Sequence, residues 1–254
     1  MKLKYVTLTG ADENTSLSDL KELSREFPFV EWAFLLSNDG KSDRPRYPSL
    51  GWIANTISEL NGSHIAIHLC GSVVPEYLYQ INYFKWLWNL VDPNNIRIQL
   101  NFPKYLDLNS DYLFGNLHRL LWDHPYVNFI IQHSETNSSS ISKIINDHMF
   151  IQITNLQLLR DCSGGHGVRE DHWEIPSEVP SLVFYGFAGG IGPDSVDSDL
   201  TILEPLLGDK LTWIDMESKI RKNIVIHKGH KSIETSILDI VACRKILEIA
   251  QQYT

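Results

Sequence analysis

The sequence predicts an α/β fold, a (β/α)8 barrel. Three observations carry this: about eight short β-rich runs, helically spaced segments between them, and loops too short to separate domains. The predicted strands are Tyr5 to Thr9, Val30 to Leu36, His64 to Leu69, Ile96 to Asn101, Val127 to Gln132, Leu156 to Arg160, Leu182 to Phe187 and Leu211 to Ile214. Most are nearly continuous apolar runs, as expected of parallel strands buried on both faces.

The connecting segments support the same architecture. Leu17, Leu20, Leu23 and Phe27 form one helical stripe, with Ser16 as its N-cap and Asp19 in the first turn. Ile53, Ile57 and Leu60 form a second stripe behind Ser49. The aromatic stretch Tyr83 to Trp88 has helical spacing and few basic neighbours, so it predicts a core-facing or oligomer-facing helix rather than a base-stacking platform. A last helix is expected from about Ser232 to Tyr253. Residues 1–254 are therefore expected to form one barrel domain. An open doubly wound sheet is the rival, but its phosphate loop normally follows the first strand, and here the glycines come late.

Composition narrows the partners. Hydrophobic residues make up 43% and charged residues 21%, ordinary values for a globular protein. A net charge of −9 and a pI near 5.5 argue against general affinity for nucleic acid or anionic membranes, while leaving room for a local anion pocket. Cys70, Cys162 and Cys243 are widely spaced, odd in number and lack a CxxC pair, so neither a disulfide framework nor a structural zinc site is indicated. Met1 to Thr9 is too short and polar for a signal-peptide core, and no run of about 18 apolar residues occurs. The expectation is a cytoplasmic protein, monomeric or homodimeric.

Function points to the late strands. The run ending Leu158-Leu159-Arg160-Asp161 leads into Cys162-Ser163-Gly164-Gly165-His166-Gly167, which sets a carboxylate beside bare backbone able to approach an anion. Phe187-Ala188-Gly189-Gly190-Ile191 repeats the glycine pattern after the next strand. In a barrel, the loops after strands six, seven and eight converge, so Gly164, Gly165, Gly167, Gly189, Gly190 and Ser218 are candidate phosphate ligands.

Read in that register, the chain resembles the phosphoribosylanthranilate isomerase family of (β/α)8 barrels. Asp161 with Gly164-Gly165-His166-Gly167 is similar to that family's sixth-strand general-acid aspartate and its glycine loop, and Ala188-Gly189-Gly190 to its seventh-strand phosphate loop. Asp171-His172-Trp173 echoes its Phe-Asp-Trp element, and Asp215-Met216-Glu217-Ser218 its segment after strand eight. Gln99-Leu100-Asn101-Phe102 and Thr7-Leu8-Thr9-Gly10 take the places of its fourth-strand and first-strand motifs. The resemblance implies Asp161 as general acid, a phosphate cradle, and Arg46 on a substrate carboxylate. Thr9 stands where the family has its cysteine base, and a threonine hydroxyl is not a base near neutral pH without strong activation. Fold and anion site are thus implied more firmly than the family's own reaction.

The remaining candidates lie on strand ends. Glu217 is a neighbour able to raise the pKa of Asp161, Cys70 a replacement base activated by His68, and His133 a further catalytic histidine. Gln99, Asn101 and Arg46 are candidate substrate contacts. The expected function is an acid/base isomerase of the ketol or Amadori type, or a related lyase, acting on a small phosphorylated or carboxylated metabolite without metal or organic cofactor. The alternatives are a catalytically inactive anion-binding or regulatory barrel, and a metal-dependent hydrolase or aldolase using His68 and His133.

Overall fold

The computed structural model describes residues 1–37, 46–79, 96–102, 110–134, 137–148, 150, 152–161, 173–177, 179–228 and 231–254. Eight strands, β1 (Lys2–Thr9), β2 (Val30–Ser37), β3 (His64–Cys70), β4 (Ile96–Asn101), β5 (Asn128–His133), β6 (Leu156–Asp161), β7 (Phe184–Ala188) and β8 (Leu211–Met216), pair in chain order as parallel neighbours. β8 pairs with β1 and closes the barrel. Around it lie α1 (Leu17–Glu26), α2 (Leu50–Glu59), α3 (Val73–Tyr79), α4 (Asp111–Asp123), α5 (Ser138–Asn146), α6 (Val196–Leu207) and α7 (Ile240–Ala250). Ser16 and Ser49 cap α1 and α2, accepting the N–H groups of Asp19 and Trp52 through their hydroxyls. Among the described residues, no helix is long and apolar enough to cross a membrane.

Strand alternation divides the interior into two layers. Outward residues such as Val6, Leu8, Trp32, Phe34, Ile65, Ile67, Ile98 and Ile131 pack with Leu20, Leu23, Ile53, Leu117, Leu120 and Ile246 of the helices in one apolar layer. Each fully buried side chain of this kind contributes about 1.5–3 kcal/mol. Inward residues fill the lumen, where Tyr5, Ile130, Leu159, Ala188 and Trp213 pack with Phe184. Gly186 is bare because Trp213 takes its space: an added Cβ would sit 2.2 Å from the indole.

A buried ion pair crosses the lumen. Arg97 Nε donates to Glu31 Oε2 at 2.7 Å and Nη2 to Glu31 Oε1 at 2.5 Å, while Nη1 donates to Gln157 Oε1 at 3.0 Å. Thr7 Oγ1 donates to Glu31 Oε1 at 2.7 Å. The guanidinium lies 4.4 Å from the Tyr5 ring centroid and 4.5 Å from that of Trp213. Burial alone raises the Glu31 carboxyl, but the Arg97 charge and the hydrogen bonds outweigh it and hold the pKa below its usual value. This layer closes the barrel beneath the mouth.

The end of the chain departs from expectation. Instead of a helix from about Ser232, β9 (Arg221–Lys228) and β10 (Lys231–Leu238) form an antiparallel hairpin between β8 and α7. The cause is period two: Ile233, Thr235 and Ile237 alternate with Ser232, Glu234 and Ser236, and β-branched residues favour a pleated partner. The helix starts at Ile240, where Asp239 Oδ1 accepts the Val241 N–H at 3.1 Å.

Candidate active site

Several strands run one or two residues past their predicted ends, and those extra residues build the site. β3 reaches Cys70, β6 reaches Asp161, and β8 reaches Met216. The register sets Asp161 beside Ala188 and Ala188 beside Asp215, so β6, β7 and β8 deliver two carboxyls at one level around a small side chain. A cavity of about 160 Å³ opens there, lined by Arg46, His68, Cys70, Gln99, Asn101, Gln132, Asp161, Gly189, Gly190, Asp215, Glu217 and Ser218 among others. It lies at the C-terminal mouth, where barrel enzymes do their chemistry.

The floor holds Asp215 and His68, both buried. Thr9 Oγ1 donates to Asp215 Oδ1 at 2.8 Å, while Oδ2 lies 3.7 Å from His68 Nε2. Desolvation pushes the Asp215 carboxyl up to about 8, with the Glu217 and Glu31 charges adding to it and the Thr9 hydrogen bond opposing. Burial likewise lowers His68 to about 4. At neutral pH both groups are uncharged, the acid protonated and the imidazole free of its second proton. Among the described residues, His68 Nε2 has no hydrogen-bond partner.

A relay runs along one wall. Cys70 Sγ donates to the His68 carbonyl at 3.6 Å, Asn101 Nδ2 donates to Cys70 Sγ at 3.4 Å, and Gln99 Nε2 donates to Asn101 Oδ1 at 2.7 Å. With its N–H committed, Gln99 leaves Oε1 buried, without a donor among the described residues. Burial pushes the Cys70 thiol up to about 11. Cys70 therefore remains a thiol at neutral pH, a link in the relay rather than an activated base.

The rim is largely anionic. Gln132 Nε2 donates to Asp161 Oδ2 at 3.1 Å, orienting that carboxyl. Glu217 pairs with the Arg46 guanidinium, and burial, with Asp161 contributing a smaller repulsion, raises its pKa despite that partner. Arg46 adopts φ 71°, with its backbone N–H donating to Asp12 Oδ2 at 2.7 Å. That bond holds a non-glycine residue in the left-handed region. Arg221 faces away from the cavity: it donates to the Gly10 carbonyl, to Asp12 Oδ2 at 3.2 Å and to the Ser236 carbonyl at 2.5 Å. Gly189 and Gly190, at φ 111° and 70°, turn the chain over the mouth in a conformation that side chains rarely adopt.

The structure thus brings Asp161, His68, Cys70, Glu217, Gly189, Gly190, Ser218, Arg46, Gln99 and Asn101 to one cavity. Two candidates do not reach it. His133 points outward to the helical layer, with its ring nitrogens 3.0 Å from Tyr185 Oη and 3.3 Å from Ser138 Oγ, because β5 alternation gives the lumen to Ile130 and Gln132. Thr9 lies behind Asp215, fully buried, where it orients the carboxyl rather than facing a ligand. Gly164, Gly165 and Gly167 lie outside the described residues. Among the described residues, no cluster of three or more His, Cys, Asp or Glu side chains is placed to hold a metal ion.

Asp215 and Gln132 were not singled out from sequence. The available signal was period two: Trp213, Asp215 and Glu217 alternate in Trp213-Ile214-Asp215-Met216-Glu217, so a strand continued to Glu217 places all three on one face.

No family model matches the sequence, and no curated protein matches it. Among solved structures, the chain is similar to a "Family GH13_31 enzyme", with 9% identity and a TM-score of 0.47, over 89% of this chain and 68% of that one. A likeness of that size transfers no residue roles, and the site stands on its own geometry.

Proposed function

We propose that this barrel is an acid/base enzyme, an isomerase of the ketol or Amadori type or a related lyase, acting on a small metabolite whose phosphate or other oxyanion rests near Gly189, Gly190 and Ser218. One observation carries it: a buried neutral imidazole with a bare Nε2 lies 3.7 Å from a carboxyl that burial keeps protonated, at the floor of an open cavity. Two titratable groups driven apart in this way form an acid and a base that coexist at neutral pH.

In a ketol isomerisation, His68 Nε2 takes the proton from the carbon beside the carbonyl while Asp215 gives its proton to the carbonyl oxygen, leaving an enediol. Return of a proton to the neighbouring carbon, with loss of the other hydroxyl proton, completes the exchange without net change in atoms. Asp161, held by Gln132, serves the second transfer in the role that the phosphoribosylanthranilate-isomerase-like resemblance implies. Each positioned acid or base contributes roughly 10²–10⁴-fold. The family's first-strand base is replaced in function by a group from another strand.

Arg46 is the one cationic side chain among the described cavity-lining residues, and it is committed to Glu217. An anion is therefore received by backbone N–H groups of the glycine turn and by whatever share of Arg46 it wins from Glu217.

The test is solvent-deuterium exchange. Incubated in D2O with a panel of aldose and ketose phosphates, the protein is expected to wash deuterium into the carbon beside the carbonyl of its substrate, and D215N to do so at least ~100-fold more slowly. Exchange undiminished in D215N removes Asp215 from the chemistry, and exchange undiminished in D161N removes Asp161.

A further inference from the structure

We propose that the cavity floor is a hydroxyl subsite, in which His68 and Gln99 hold two hydroxyl groups of a polyhydroxylated substrate. The subsite rests on the proposed function in taking the floor as the reacting end and describes the substrate at rest: the hydroxyl on His68 leaves Nε2 before that atom takes a proton from carbon.

Among the described residues, two buried polar atoms at the floor lack partners, His68 Nε2 and Gln99 Oε1, on residues each 2% exposed and lining the cavity. Buried polar groups are normally paired, so two such atoms on residues that line one cavity mark what an occupant reaching its floor must supply. Gln99 Oε1 needs a hydrogen-bond donor. Its orientation is set from the far end of the relay, where a backbone carbonyl can only accept, so that Cys70 donates, Asn101 donates to Cys70, and Gln99 donates to Asn101.

Asp215 selects further. Its Oδ1 is occupied by the Thr9 hydroxyl, so the carboxyl proton sits on Oδ2, the oxygen facing His68. At 3.7 Å, Oδ2 and Nε2 are too far apart for a good hydrogen bond to each other, but one small atom can touch both. That atom must accept from Asp215 and donate to His68. A hydroxyl does both, an ammonium cannot accept, a carboxylate has no hydrogen for Gln99, and a phosphate finds no cationic side chain at the floor among the described residues. Two hydroxyls, one bridging His68 and Asp215 and one donating to Gln99, satisfy both unpaired atoms found at the floor among the described residues.

The experiment uses xylitol and inorganic phosphate as separate probes of the full chain, with affinities taken from NMR titration. Xylitol is expected to bind saturably, to shift the side-chain amide of Gln99, and to bind at least ~10-fold more weakly to Q99L and Q99M, which lack the acceptor. Phosphate affinity is expected to be equal in wild type and Q99L, since its contacts lie at the glycine turn. Wild-type protein that ignores xylitol, a Gln99 amide that does not shift, or equal xylitol affinity in a folded Q99L or Q99M overturns the subsite whatever phosphate does. Should phosphate fail while xylitol discriminates among the variants, the oxyanion part of the proposed function falls and the subsite stands.

Discussion

Replacing Asp215 with asparagine removes one titration from the folded protein, and its effect can be worked out in sign and size. Burial raises this carboxyl from 3.8 to about 8, so the folded state binds more protons than the unfolded state in that interval, and stability falls as pH rises through it. At about 1.4 kcal/mol per pH unit, the full span is on the order of 6 kcal/mol. His68 acts oppositely: lowered from 6.5 to about 4, it adds stability as pH rises through that window. In wild type the two slopes cancel below 6.5, and a net decline of roughly 2 kcal/mol follows up to about 8. D215N exposes the His68 slope alone, rising to 6.5 and flat beyond. The advantage of D215N over wild type should therefore grow by about 4 kcal/mol between pH 5 and pH 9. Urea unfolding at the two pH values, with an unchanged m-value, measures it. A difference between variant and wild type that is constant within ~1 kcal/mol would show Asp215 ionised in the fold, and its role as an acid would fall.

The other expectations concern neighbouring groups. R97M leaves the Glu31 charge buried without its partner and should destabilise the barrel by about 3–5 kcal/mol in denaturant titration, whereas R97M/E31L should recover much of that loss; additive losses would contradict the ion-pair account. G186A forces a methyl against the Trp213 indole and should lower stability by about 1–3 kcal/mol, read as a drop in Tm; an unchanged Tm would show that the lumen has slack there. Alkylation of Cys70, followed by peptide mass spectrometry, should keep accelerating up to pH about 11, and a plateau near 9 would mean that the thiol is not desolvated. T9V should raise the Asp215 pKa further by removing the hydroxyl that favours its ionised form, visible in the carboxyl carbon shift on NMR titration.

Particular residues show how far the chain could be read. The strand Ile96 to Asn101 was found at both ends, because Asn95 before it and the polar Asn101 at its close bound a clear apolar alternation. Strands three and six run one residue and strand eight two residues beyond their apolar runs, since Cys70, Asp161 and Asp215 do not look like strand residues in isolation. Their place in the ladder is granted by a neighbouring strand already in register. The hairpin at 221–238 was missed for a related reason: its partner strands are weakly apolar and stabilise each other only once paired. The pairing of Arg97 with Glu31 is not legible, because the sequence does not show that two charges 66 residues apart share the lumen.

By itself, the sequence determined the barrel and pointed to the end of it where the candidate cavity opens. Periodicity and turn chemistry are local properties, written within ten residues, and eight repeats of them leave few ways to close a sheet. It also named most of the residues that line the cavity, since those residues sit at strand ends. The tertiary structure decided what each one is. Whether a carboxyl is acid or ion-pair partner, and whether a thiol is base or relay, depends on burial and on partners from distant strands. Asp161 was legible as a carboxyl at a strand end, but Asp215 stands out as the proposed acid only because Thr9, 206 residues away, donates to one oxygen and His68 faces the other.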